Sequence, residues 1–221
     1  MKDRFSISTT ASNKEAISRG DFIFINVLPQ VVQHVISDIR TAGLSEEQLI
    51  ITLAAGIVME RYNRLGDNVR VVRILPNPLC QIGEGVIAIA YNNFVTEAQK
   101  GDVDKLFHSL GLCVVLEEGH INAVTALTTP ANVFMFFQSL IDAGVRAGID
   151  RATCTKIAYQ TIVGSMEVWH RRKVPPSELM AEASTPGGIS VECLHVLEKY
   201  AFRAAISDAI KKGAERADQF R

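Results

Sequence analysis

The chain changes rhythm once, near residue 118, and that change constrains its fold more than any single motif does. Up to about Leu116, short β-branched runs alternate with amphipathic stretches, the pattern of a parallel sheet covered by helices. From His120 onward no β-branched run is bounded by turn residues, and the pattern is almost wholly helical. The expected architecture is therefore α/β first and all-α after it.

In the first region, residues 22–27 are apolar on both faces, as a parallel strand buried between helices must be. Pro29 opens a helix whose Val32, Val35, Ile36 and Ile39 share one face. Further strands are expected over residues 49–53, 69–74, 86–90 and 113–116, with a short helix over 58–65 and a helix over 96–110 capped by Thr96. In the second region, helices are expected over 130–147, over 151–170 behind an Asp150 cap, and from Pro175-Pro176 onward. The 130–147 helix carries Val133, Phe134, Met135, Phe136, Phe137, Leu140, Ile141 and Val145 on more than one face, which points to a subunit interface. Gly144 and Gly148 permit close helix packing there, although Gly148 also suits the stop of the helix.

Composition narrows the function classes. With 221 residues, 48% of them hydrophobic, the chain can bury a sizeable core. A net charge of -1 gives no electrostatic case for nucleic acid or an anionic membrane as partner. The longest apolar run, residues 22–27, is strand-sized, well short of the ~20 residues that cross a bilayer. Residues 1–14 lack the apolar stretch of a signal peptide, so a cytoplasmic setting is expected. Cys80, Cys113, Cys154 and Cys193 are scattered among apolar neighbours and read as buried free thiols. The five histidines stand at no metal-ligand spacing, so no metal site is expected.

Three glycine-containing segments are candidates for ligand binding. Ser184-Thr185-Pro186-Gly187-Gly188 interrupts the helical region, with Ser190 where the next helix begins; free N–H groups and a hydroxyl at a helix start suit a carboxylate or phosphate, and a simple chain reversal is the alternative. Ala54-Ala55-Gly56 follows the second strand, where open α/β sheets bind ligands, or is a small-residue turn that allows tight packing. Gly83-Glu84-Gly85-Val86-Ile87-Ala88 has the letters of a dinucleotide loop but precedes a strand instead of opening a helix, so it fails as a pyrophosphate site.

Taken in order, several segments resemble the Δ1-pyrroline-5-carboxylate reductase family. Asn26-Val27-Leu28-Pro29-Gln30 resembles its "AVKPQ", Leu53-Ala54-Ala55-Gly56-Ile57 its "AAGI", and Arg70-Val71-Val72-Arg73-Ile74-Leu75-Pro76-Asn77 its "RVVRxMPN". Asn122-Ala123-Val124-Thr125-Ala126-Leu127 is similar to "DAVTAL", Asp142-Ala143-Gly144-Val145-Arg146-Ala147-Gly148 to "DAGVKAG", the loop at 184–190 to "TSPGGTT", and Phe202-Arg203 to the final "GFR".

The resemblance implies a partial Rossmann-like, incomplete dinucleotide-binding domain over residues 1–118 and a helical dimerisation and substrate-binding domain over 119–221. It implies NADPH- or NADH-dependent reduction of 1-pyrroline-5-carboxylate to L-proline by a homodimer that often assembles further. Gly187, Gly188 and Ser190 would hold the substrate carboxylate. Pro29, Ala54, Ala55, Gly56 and Asn77 would line the nicotinamide side, and Thr128 and Thr129 would offer hydroxyls at the reaction centre.

Three departures stand beside the match. The family's first strand and glycine loop would lie before Met1, its "SGSGPAY" is replaced by Thr128-Thr129-Pro130-Ala131-Asn132, and its lysine before proline is Leu28. A non-catalytic oligomerising or metabolite-binding relative is the alternative they raise. A further expectation is that residues 1–8 supply an edge strand beside residues 22–27, since Phe5, Ile7 and Thr9 alternate suitably.

Overall fold

The computed structural model describes residues 5–219. Strands β1 (Phe22–Ile25), β2 (Leu49–Thr52), β3 (Arg70–Pro76), β4 (Gly85–Tyr91) and β5 (Gly111–Val115) form one sheet in the order β1-β2-β3-β4-β5. All pairings are parallel except β3–β4, where Val72 faces Tyr91 and Pro76 faces Ile87 in antiparallel register. The sheet is thus parallel-dominated, as the rhythm of the first region led one to expect, with one antiparallel pair. The reason is length: residues 77–84, built around a 3₁₀ turn at Pro78–Ile82, are too few for the crossover that a parallel return requires.

Period-two alternation sends successive strand residues to opposite faces. Ile50, Val71, Ala88 and Ala90 face one core, which Val32, Ile36 and Ile39 of helix α2 (Val32–Ala42) cover. Ile51, Val72, Ile74, Ile87 and Ile89 face the other, under Val103 and Phe107 of α3 (Glu97–His108). Helix α3 starts where expected, because Thr96 and Gln99 close a reciprocal capping box. The short α4 (Ile121–Leu127) adds Ile121, wholly buried, to the first core. The expected helix over 58–65 is a 3₁₀ segment, Met59–Leu65.

Strand β1 lies at an edge of the sheet, and Phe24 there is half exposed. The expected strand from Phe5, Ile7 and Thr9 does not form among the described residues; a short helix, α1 (Asn13–Ile17), capped by the Ser12 hydroxyl, leads into β1 instead. Residues 1–4, which were part of that expectation, lie outside the described residues.

The chain divides into two compact units, Met1–Thr128 with Ile210–Arg221, and Thr129–Ala209. The second contains α5 (Pro130–Arg146), α6 (Arg151–Arg172), α7 (Pro176–Glu182) and α8 (Ile189–Lys199), and the final helix α9 (Phe202–Asp218) begins in it. Asp150 caps α6 by accepting from the Thr153 amide. Its core is small: Ile141, Cys154 and Ala158 are the buried residues, with Phe137 and Leu140 packed on them. Gly144 makes the α5–α6 contact possible, since a Cβ there would lie 2.6 Å from Cys154 Sγ. Gly148 has φ +94° and a Cβ there would meet nothing within 4 Å, so the glycine serves as the helix stop and not as a packing contact. Val133, Phe134, Met135 and Phe136 of α5 are all exposed.

Two readings of composition change. Cys193 is exposed, and Cys80 and Cys113 are half-buried; only Cys154 is buried. The helical stretch Glu118–Arg146 is long and apolar enough to cross a membrane by length and composition alone. Reading consecutive residues misses it because Thr128-Thr129 divides it, and there the backbone leaves helical geometry, with ψ 121° at Thr129.

Candidate functional site

Because β1, β2 and β3 run parallel, their carboxyl ends share one edge of the sheet, the edge at which open α/β sheets take ligands. Pro29 starts a 3₁₀ turn beyond β1 that leads into α2. Beyond β2 come Ala54, buried, Ala55, exposed, and Gly56, whose φ of +76° turns the chain away from the edge. Asn77 follows β3. The structure therefore brings Pro29, Ala54, Ala55, Gly56 and Asn77 to one edge of the sheet, where Ala55 is exposed while Ala54 and Gly56 are buried. Leu28, at the family's lysine position, is exposed.

Asn77 is tied on both sides. Its Oδ1 accepts from the Val86 amide at 3.1 Å, and its Nδ2 donates to the Thr128 carbonyl at 3.0 Å. Thr128 ends α4, and Thr129 follows as the residue before α5. Both threonines are half-buried, and neither hydroxyl makes a hydrogen bond to another described residue. Each is thus free to face a ligand.

Behind the edge lies a buried polar group that sequence reading missed. Thr52 and Tyr62 share a 2.7 Å hydrogen bond, and burial pushes the Tyr62 hydroxyl pKa up, opposed by that bond and by the Arg73 charge. Arg73 is itself fully buried in β3. It donates to Asn122 Oδ1 at 2.8 Å and approaches Glu118 Oε1 at 3.4 Å; Asn122 in turn donates to Asp218 at 2.8 Å. Glu118 also accepts from the Met59 amide at 2.7 Å. One signal was available: Arg73 has the core-facing parity of Val71, and a charge at such a position requires partners.

In the second unit, the loop Ser184-Thr185-Pro186-Gly187-Gly188 joins α7 to α8. Gly187 has φ +69°. Gly188 is the N-cap of α8, and its amide donates to Thr185 O at 2.9 Å. Ser190 is exposed in the first turn, and its hydroxyl bonds no described residue. The first amides of α8 have no intrahelical acceptor, so together with that hydroxyl they form a set of donors suited to a carboxylate.

Gly83-Glu84-Gly85 does not open a helix: Gly85 begins β4. Its lack of a side chain is a packing requirement, for a Cβ would fall 2.1 Å from Cys80 Sγ and 2.8 Å from Leu110 O. Among the described residues no glycine-rich turn stands between a strand and an α-helix. No group of three metal-ligating side chains occurs among them either.

Comparison with known proteins places this geometry. Residues 118–220 match the family model described as pyrroline-5-carboxylate reductase dimerisation, which supports homo-oligomerisation, and residues 1–56 match that of NADP oxidoreductase, coenzyme F420-dependent. The chain is 32% identical to pyrroline-5-carboxylate reductase of Escherichia coli, over 99% of this chain and 82% of that protein. It is 31% identical to the Mycobacterium tuberculosis reductase, over 100% of this chain and 83% of that one. Among solved structures, the Plasmodium falciparum pyrroline carboxylate reductase with NADP bound superimposes with a TM-score of 0.86 at 29% identity, covering 96% of this chain and 81% of that chain. The fold, the order of the motifs and these identities agree: the chain belongs to the pyrroline-5-carboxylate reductase family.

Proposed function

We propose that this chain reduces 1-pyrroline-5-carboxylate to L-proline with NADPH or NADH, in a cytoplasmic setting and as a homodimer or higher assembly. The observation that carries the reading is the convergence of Pro29, Ala54, Ala55, Gly56 and Asn77 on one carboxyl edge, within a family whose Plasmodium falciparum member is described with NADP bound. That edge fits the nicotinamide end of a dinucleotide. When bound, that cofactor supplies a hydride to the imine carbon.

The remaining work falls to the chain itself. The turn at Gly187 and Gly188 presents the unpaired first-turn amides of α8 and the Ser190 hydroxyl to the substrate carboxylate, and the free hydroxyls of Thr128 and Thr129 orient the imine nitrogen, which takes up a proton from solvent as the C=N bond becomes CH–NH. The test is oxidation of NADPH by the purified protein with 1-pyrroline-5-carboxylate. Turnover is expected; absence of turnover together with absence of dinucleotide binding overturns the reading.

A second reading, a non-catalytic oligomerising or metabolite-binding relative, is favoured by Thr128-Thr129-Pro130, which stands where the family carries glycines for close backbone approach. Saturable proline binding without dinucleotide binding is the outcome that selects it.

A further inference from the structure

Asn77 sits at a corner where three segments meet. Pro78 turns the backbone out of β3 into a 3₁₀ segment, which ends the β3–β4 ladder. Asn77 nevertheless adds one more rung: its amide donates to Val86 O at 3.2 Å, and its side-chain Oδ1 takes the Val86 amide at 3.1 Å in place of a backbone carbonyl. The Asn77 carbonyl is meanwhile occupied by the Cys80 amide at 3.2 Å. The side chain thus frees the backbone for the turn and retains a donor, Nδ2, which reaches the Thr128 carbonyl across 51 residues of sequence. Thr128 closes the last turn of α4, its amide bonded to Val124 O at 2.9 Å. A short amide side chain suits both jobs, since one end accepts and the other donates.

We propose that Asn77 is a positioning residue, acting through Thr128: it fixes the end of α4, and with it the free hydroxyl of Thr128, against the carboxyl end of β3, so that Asn77 lines the cofactor edge by its backbone while its side chain is committed to this clamp and is not a cofactor ligand. This deepens the reductase reading and rests on it for its kinetic consequence, but the structural part stands without it.

Two variants separate the halves of the clamp. Asn77→Asp keeps an acceptor for the Val86 amide and sets a carboxylate against the Thr128 carbonyl; Asn77→Ala removes both bonds. Amide hydrogen exchange on the full chain is the primary measurement. In Asn77→Asp, exchange at Leu127 and Thr128 rises about tenfold while Val86 stays at the wild-type rate; in Asn77→Ala both sites rise. Unchanged exchange at Leu127 and Thr128 in both variants overturns the proposal whether or not the chain turns over.

Where turnover is measured, Asn77→Asp lowers kcat about tenfold and leaves the dinucleotide KM within about threefold, as loss of orientation without loss of binding requires. A rise in dinucleotide KM with kcat preserved assigns Asn77 to the cofactor and refutes the positioning role. A wild-type chain that neither turns over nor binds dinucleotide removes the reductase reading alone, and the exchange result then decides the clamp by itself.

Discussion

Single atoms decide what several positions in this chain tolerate. A Cβ on Gly188 would lie 2.9 Å from the Thr185 carbonyl, and its amide is already committed to that oxygen, so Gly188→Ala must open the loop. Charge-assisted hydrogen bonds contribute about 1.5–3 kcal/mol each, and losing one weakens substrate about tenfold or more. The expected result is a raised KM for 1-pyrroline-5-carboxylate with the melting temperature held, because the loop is exposed. A KM unchanged in a folded variant removes the loop from the site. Tyr91 carries a pH prediction. Burial, followed by the nearby Asp104, Cys113 and Glu97, pushes its hydroxyl up to about 12 from the ordinary tyrosine value of 10.0. A group whose folded pKa is raised contributes stability that is complete below the unfolded value and disappears as pH climbs through the folded one. Wild type should therefore lose stability between pH 10 and about 12, and Tyr91→Phe should lose less over that window in urea titrations.

At the scale of elements, the start of β4 is the tightest joint. Gly85 pairs with Gly111, and a Cβ on Gly85 meets both Cys80 Sγ and the Leu110 carbonyl. Gly85→Ala should cost about 1–3 kcal/mol in chemical denaturation, as overpacking does; adding Cys80→Ala should recover only part, since the backbone carbonyl remains. A full recovery would show that the sulfur alone sets the constraint. What the sequence made legible was of the same local kind. Thr96 with Gln99 and Asp150 with Thr153 mark helix starts within one turn, and short β-branched runs mark strands. Strand direction was not legible from pattern, because an apolar run such as Gly85–Tyr91 reads the same in either sense; the short link after Asn77 held the answer. The Asn77–Thr128 and Asn122–Asp218 bonds span 51 and 96 residues, so no local spacing reports them. Glycines and a proline at the candidate site were visible because they punctuate the chain, whereas Arg73 was hidden inside an apolar strand.

For the molecule as a whole, the apolar face of α5 is the feature with the widest reach. Phe134 is 61% and Met135 75% exposed, within the segment that matches a dimerisation family. An apolar face of that kind marks an interaction surface. Phe134→Glu should convert an oligomeric wild type to a species of smaller mass in sedimentation; an unchanged mass places the interface elsewhere. The second unit buries only Ile141, Cys154 and Ala158, too little apolar area to hold four helices by itself. Its folding must then be coupled to association, which makes its thermal midpoint a function of how much protein is in the tube. Diluting the sample tenfold should move that transition down while leaving the sheet's own transition in place, so that a small core inside one chain is read out as mass action between two.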